Sequence, residues 1–507
     1  MNSLPNLTER ILRGSSVVFL FSVLASPLGY FIRILYSHSL SIEAYGLFYA
    51  MMTLFSTIST YNDLGFGYSV SYLLPKCLKE NDHFLAWNIF QYCQIIEITT
   101  SVIISLFLVV LAPWITQNYF KVPEAQNLIY VFCLFLVASS LLNSLIKIFM
   151  GMLQEKYYAT LNFARIFFAF TFSLVISLFD TADVLLYAIA WTLSYLLVAG
   201  VYYYFLYAEN KLLVRQRVVW DSKLFRTMLD YALPTLATVS IYSFITFTDT
   251  FFLTLFKGVK DVGVYNVILP VASIPLIMLS PINNFFLPLV SHLMEGEKEK
   301  VAYVIEILLK VIPFVGIYFG FFVFLFPSTT IALLFGEKWV EEGAIPLMIL
   351  ALGYVPAILN IFLAGIVLGM GKIRERLIAS LTIAFASIIL NASLVFFYGL
   401  SGAAIAATLI YILSNAIYGL IISRTITFNY PYKYYLQLIG IFTFFYLVVK
   451  LGNWQTSNWS SYIISGAIYT VAVIGIAYYF KIFRKDLLLM ALGKENKVIL
   501  SVELIKE

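Results

Sequence analysis

Apolar blocks of about twenty residues or more recur along the whole chain, separated by short polar segments, and none shows the period-two alternation of a barrel strand. Helices rise about 1.5 Å per residue, so each block is long enough to cross a bilayer as a helix. The blocks fall at 15–36, 44–72, 86–112, 127–150, 158–179 and 184–207. After a polar connector they resume at 228–256, 262–290, 301–327, 342–368, 376–398 and 402–423, with a final pair at 434–451 and 460–480. The pattern predicts an all-α integral membrane protein of fourteen spans. Composition agrees: 61% of the 507 residues are apolar, 12% are charged and the mean hydropathy is +0.91. Soluble globules carry roughly twice that charge.

Charge orients the chain. One set of alternate segments carries Arg10 and Arg13, Lys76 and Lys79, Lys147 and Lys156, the connector cluster Lys211, Arg215, Arg217, Lys223 and Arg226, and the basic residues of the loops at 298–300, 372–376 and 424–433 and of the tail. The other set carries only Lys121, Lys257, Lys260, Lys338 and Lys450. The positive-inside rule puts the richer set, with both termini, in the cytoplasm, and a plasma (inner) membrane location is expected. This bias accounts for the net charge of +5 and leaves no support for nucleic-acid binding. The first block is too long for a signal-peptide core and is expected to stay as a span. Cys77, Cys93 and Cys133 are widely spaced in or beside apolar blocks, which suits buried thiols rather than a disulfide framework or a metal site. No cofactor is implied.

The chain divides into an N-terminal six-helix lobe (1–207), a basic connector (208–227), a second six-helix lobe (228–424), an additional helix pair (425–480) and a tail (481–507). Weak self-similarity relates the lobes. Arg33 is followed by Gly46 in Ala44-Tyr45-Gly46-Leu47-Phe48-Tyr49, and Asp249 by Gly263 in Val262-Gly263-Val264-Tyr265-Asn266. In both, a charge near the outer end of one span precedes a short loop and a Gly-x-aromatic that opens the next.

Polar residues at helical spacing mark faces turned toward water or a partner. Such stripes run along Ser22, Ser26, Gly29, Arg33 and Ser37; along Thr53, Ser56, Thr60, Asp63 and Gly67; along Thr235, Thr238, Tyr242, Thr246 and Asp249; and along Asn266, Pro270, Ser273, Ser280 and Asn284. These are the first two spans of each lobe, and they predict a shared cavity. Small and hydroxylated residues also serve close helix packing, so a purely structural reading stands beside that one. The third span competes with Gln94, Glu97, Ser101 and Ser105.

Charges within spans are costly and are the first place to look for function. Arg33 and Arg165 are candidate anion contacts, and Asp63, Glu97 and Asp249 are candidates for ion coupling or for pairing with the arginines. Thr60, Asn266 and Asn284 are candidate cavity polar groups. Lys310 is weaker, because Glu306 one turn earlier is spaced to neutralise it. Prolines at 27, 234, 270, 275, 281 and 313 release main-chain carbonyls and permit bends.

Arg33-Ile34-Leu35 with Glu43-Ala44-Tyr45-Gly46-Leu47-Phe48, Asp63-Leu64-Gly65-Phe66-Gly67, Asp249-Thr250 with Val262-Gly263-Val264-Tyr265, and Leu334-Phe335-Gly336 are similar in order and spacing to the polysaccharide transporter family. These Wzx-like oligosaccharide flippases share a superfamily with the lipid II flippases and multidrug exporters. The resemblance spans the chain. It implies two six-helix lobes working by alternating access, a lipid-linked oligosaccharide as substrate, membrane lipids as surroundings, and a polysaccharide polymerase, ligase or glycosyltransferase as partners. It also implies a cavity on helices 1, 2, 7 and 8, cationic in the family but mixed in charge here.

The chain lacks a Walker-type phosphate loop, so ATP is not the expected direct drive. Two alternatives stand beside the flippase: an ion-coupled small-molecule or multidrug exporter, and a membrane-embedded glycosyltransferase, polymerase or ligase. The candidate for such an enzyme, Asp180 with Asp183 in an outer turn, reads as helix capping.

Overall fold

The computed structural model describes residues 4–179, 181–294, 298–454 and 456–479, with side chains for all of these except 4–16, 237–246, 280–289, 298 and 479. Every regular element among the described residues is a helix. In order the helices are α1 (Leu4–Ser39), α2 (Ile42–Ser59), α3 (Phe66–Lys79), α4 (His83–Ile115, extended by a π turn over Thr116–Phe120), α5 (Ala125–Gly151), α6 (Glu155–Ser177), α7 (Val184–Glu209) and the short α8 (Lys211–Val214). They continue with α9 (Ser222–Phe256), α10 (Val259–Met294), α11 (Lys298–Leu325), α12 (Pro327–Phe335), α13 (Val340–Gly369), α14 (Ile373–Ser423), α15 (Tyr432–Leu451) and α16 (Trp459–Tyr479).

Eleven helices among the described residues are long and apolar enough to cross a membrane, so the chain is a multi-pass, all-α membrane protein. Three places separate this count from the expected fourteen. α14 joins two expected spans through Gly399, whose φ of 55° and ψ of −130° turn the chain between them. The block at 44–72 is interrupted between α2 and α3, and in α9 only Phe247–Phe256 is apolar and described as far as its side chains.

Short side chains start several helices by accepting otherwise orphaned amide protons. Ser41 takes the N–H of Ala44, Asp82 that of Leu85, Asp183 that of Leu185 and Asp221 that of Lys223. Asp183 is thus the cap its sequence position suggested, while Asp180 lies outside the described residues.

Two compact units emerge. The first holds the chain up to Pro270 with Leu334–Pro346 and Leu377–Ile410. There α1 packs on α6, and α5 packs between α4 and α7. α5 is the most enclosed of these helices, with Leu136, Ala138, Leu142, Leu145 and Ile148 fully buried, and Phe132 meets Phe48, Phe55 and Phe135 at ring-centre distances of 5.4–5.9 Å.

The second unit holds Val271–Leu333, Leu347–Arg376 and the residues from Tyr411 on. A core of Phe314, Phe321, Leu438, Phe442, Tyr469 and Val473 joins α11 to α15 and α16. Pro313 has no N–H to give the carbonyl of Leu309 one turn back, and the Tyr435 hydroxyl donates to that carbonyl at 2.5 Å. A bond lost to proline within α11 is thereby replaced by one that ties α15 to it.

Candidate functional site

Proline chemistry also organises the candidate site. Pro270 in α10 cannot donate to the carbonyl of Asn266, and the Arg33 guanidinium from α1 donates to that oxygen at 3.0 Å. The same guanidinium lies over the Tyr49 ring of α2, 4.6 Å from its centre, an arrangement that stabilises a cation away from bulk water. One turn earlier the Tyr30 hydroxyl donates to the carbonyl of Pro270 at 2.7 Å. Asp249 of α9 accepts from the Tyr265 hydroxyl at 2.7 Å and from the Thr250 N–H at 2.6 Å. The structure therefore brings Arg33 and Asn266 together.

Beside them α2 and α10 touch through main chain. A Cβ on Gly46 would lie 1.8 Å from the Val259 carbonyl oxygen, and one on Gly263 would lie 2.7 Å from that of Ile42 and 3.2 Å from the Gly46 Cα. The two glycines that the repeat pattern made equivalent are thus each other's neighbours. Around them, Lys338 donates to the Leu40 carbonyl at 2.7 Å, Lys121 to that of Leu255 at 3.2 Å, and Lys260 pairs with Glu342 at 2.6 Å. Tyr45 and Trp339 meet edge to face at 5.0 Å, and Ser37 is fully buried. These are the ends that the charge bias leads one to expect outside, and here they are closed on one another.

Asp63 and Glu97 form a separate cluster. Both accept from the Lys147 ammonium of α5, at 2.8 and 2.9 Å, and Ser144 adds a hydroxyl to Glu97 at 3.2 Å. Glu97 is 1% exposed. The Asp63-Leu64-Gly65-Phe66-Gly67 segment is built around this cluster. Leu64 and Gly65 take left-handed φ values of 49° and 84°, which break the span and let Asp63 accept from the N–H groups of Gly65 at 2.9 Å and Gly67 at 3.2 Å. A Cβ at Gly67 would lie 2.4 Å from the Lys147 Cε, so only glycine leaves room for the ammonium.

The remaining candidates are placed as follows. Arg165 donates to the Tyr195 hydroxyl and lies over its ring at 5.1 Å, and its Nε is buried without a partner. Thr60 and Asn266 donate to carbonyls one turn back on their own helices, Ser56 and Val262, as do Ser26 and Thr57. Much of the polar striping is therefore satisfied locally. The Ser105 hydroxyl of the competing third stripe donates to the Cys133 carbonyl of α5. Asn284 lies outside the described side chains. Lys310 is not neutralised as its spacing suggested: it is exposed, and Glu306 accepts instead from the N–H of Asn429 at 2.7 Å. Among the described residues neither Arg33 nor Arg165 pairs with an acid; the acids have gone to Lys147 and Tyr265.

A family of polysaccharide biosynthesis proteins matches residues 11–294, a stretch that contains Arg33, Asp63, Lys147, Asp249 and the two touching glycines. The chain belongs to that family. It is also 23% identical over 416 residues to an uncharacterized membrane protein of Methanocaldococcus jannaschii, covering 80% of this chain and 82% of the relative. Among solved structures, an inward closed lipid II flippase MurJ superposes with a TM-score of 0.66 at 15% identity, over 92% of this chain and all of MurJ. An inward-facing multidrug resistance MATE transporter of the MOP superfamily gives 0.61 at 16% identity, over 80% and 94%. A MOP-superfamily transporter from Pyrococcus furiosus gives 0.51 at 15%, over 83% and 95%. The fold is that of this superfamily, in agreement with the resemblance read from the motifs.

Within the family frame, Lys147 is the residue that sequence reasoning passed over. It stands close to a helix end, where a lysine reads as a flanking charge, and its partners are 84 and 50 residues away. The available signal was two acids inside spans with no local base. Pro270 carried a second one: counting four residues back from a proline names the freed carbonyl, and Arg33 was the cation at hand. Pro270→Ala returns an N–H to Asn266 and is expected to loosen Arg33. A cysteine placed at Ser37 should then react faster with a water-soluble maleimide; an unchanged rate would show that Arg33 does not hold these ends closed.

Proposed function

We propose that this protein is a flippase that carries an isoprenoid-(pyro)phosphate-linked oligosaccharide from the cytoplasmic to the outer leaflet by alternating access, for cell-surface glycan assembly. The observation that carries the reading is coverage. The lipid II flippase matches 92% of this chain, the multidrug resistance MATE transporter 80% and the Pyrococcus furiosus transporter 83%, a difference about as large as the α15–α16 pair. Membership in a polysaccharide biosynthesis family points the same way.

In this reading lobes 1–207 and 228–424 rock against one another, with both termini in the cytoplasm of a plasma (inner) membrane. Arg33 is the outer anion contact. A guanidinium has five N–H donors in a planar fork that suits phosphate, more than one carbonyl uses. When the outer ends part, the phosphate takes the place of the Asn266 carbonyl. Arg165 is the inner contact, Asn266 and Asn284 line the path, and Asp249, tied through Tyr265 to the helix whose carbonyl holds Arg33, is the acid that couples an ion.

The test is leaflet exchange of a labelled polyprenyl-diphosphate oligosaccharide in vesicles containing the purified protein. Exchange by the native chain, reduced by about tenfold or more in Arg33→Ala with expression and thermal stability intact, is expected from the loss of a charge-assisted bidentate contact. Absence of exchange with every polyprenyl-linked sugar, together with drug or ion transport, would establish an exporter instead.

A further inference from the structure

The connector between α7 and α9 is held in place. Asn88, 1% exposed on the first turns of α4, donates to the carbonyl of Arg217 at 3.1 Å and accepts from the N–H of Val219 at 2.8 Å. Tyr92, one turn on and 2% exposed, donates to the Val219 carbonyl at 2.6 Å and accepts from the Asp221 N–H at 2.5 Å. Its ring lies 5.1 Å from that of Trp220, which meets Phe225 at 5.0 Å, and Phe225 stacks on Phe66 at 5.5 Å. Two buried polar side chains thus do for an irregular strand what a neighbouring strand would do in a sheet.

The strap displays what a soluble loop would avoid. Lys211, Arg215, Arg217, Lys223 and Arg226 are all exposed, and none makes an ion pair among the described residues. Its one acid, Asp221, is turned to the N–H of Lys223 as a helix cap. Between the bases stand Leu212, 74% exposed, Val218, Val219 and Trp220, the last 65% exposed. Tryptophan with aliphatic neighbours suits the headgroup boundary of a bilayer, and unpaired arginine and lysine suit anionic headgroups there.

We infer that residues 211–226 form a docking strip for anionic lipid headgroups of the leaflet on the connector's side, with Asn88 and Tyr92 as the clasp that presents it. The bases contact lipid phosphates while Trp220, Val218 and Leu212 enter the acyl boundary. Charge complementarity fixes this occupant, because zwitterionic lipid offers the apolar residues the same boundary but gives five cations no net attraction.

The test uses the full-length protein, titrated with phosphatidylglycerol or phosphatidylcholine of identical acyl chains and read by native mass spectrometry. Phosphatidylglycerol should bind about tenfold tighter or better, since each base near an anionic surface adds to the attraction. That preference should fall several-fold in the combined variant Arg215→Gln, Arg217→Gln, Lys223→Gln and Arg226→Gln. It should fall partly in Asn88→Ala, which keeps every base and releases the clasp. Should the combined variant misfold, Arg217→Gln with Lys223→Gln gives the same reading at smaller amplitude. An unchanged preference in a folded variant would overturn the inference. So would equal competition by inorganic pyrophosphate, which would make this a site for free anions.

Discussion

Gly46→Ala is expected to hold apart the outer ends of α2 and α10 and to abolish transport by any cycle that must close them. The added methyl would lie 1.8 Å from the Val259 carbonyl oxygen and 2.8 Å from the Gly263 nitrogen. Both are main-chain atoms, so no rotamer relieves the clash. Overpacking of this kind costs about 1–3 kcal/mol, occasionally more, and about 1.4 kcal/mol is tenfold in a conformational equilibrium. A cysteine introduced at Ser37, fully buried in the closed form, should therefore react with a water-soluble maleimide about tenfold faster or more in the Gly46→Ala background. The native thiols are 6%, 1% and 5% exposed and add little background. Gly29→Ala is the control, because a Cβ there meets nothing within 4 Å. Equal labelling in the two backgrounds would show that the glycine contact does not control the outer ends.

Lys147→Met should be the most destabilising single substitution in the first unit. The ammonium is shared by Asp63 and Glu97, whose side chains are 13% and 1% exposed, and its removal leaves both carboxylates uncompensated. Breaking a buried pair from one side costs about 3–5 kcal/mol, whereas replacing all partners by neutral groups is far milder. Thermal unfolding in detergent should thus show a large loss for Lys147→Met and recovery of most of it when Asp63→Asn and Glu97→Gln are added. No loss in the single variant, or no recovery in the triple one, would remove the cluster from the stability of the fold. Gly67→Ala should act in the same direction, since its Cβ would sit 2.4 Å from Lys147 Cε and 2.6 Å from Asp63 Oδ2.

The all-α membrane class and the family were legible in the sequence because both rest on period and order, which a chain carries locally. Arg33, Asp249 and Asn266 could be picked out because charge or amide within an apolar block is conspicuous. What was not legible is non-local or belongs to the main chain. Lys147 looked like a flanking base until folding brought it to Glu97 on α4 and to Asp63 ahead of α3. The Asp63-Leu64-Gly65 break is hidden in an unbroken apolar block, because left-handed backbone at Leu64 has no side-chain signature. The hydroxyl stripes looked like a cavity lining, yet several of these groups are occupied by carbonyls of their own helices.

Three of the four basic side chains that tie these helix ends share one kind of acceptor: Arg33, Lys121 and Lys338 each donate to a peptide oxygen, of Asn266, Leu255 and Leu40, while Lys260 pairs with the Glu342 side chain. A peptide oxygen survives any substitution of the residue that bears it. Positions 266, 255 and 40 can therefore drift through evolution while the grip persists, and no compensating change at the basic partner is required. Relatives of this chain should accordingly show no paired substitutions across these three contacts, and a search for co-varying side chains would pass over them while still able to find Lys260 with Glu342.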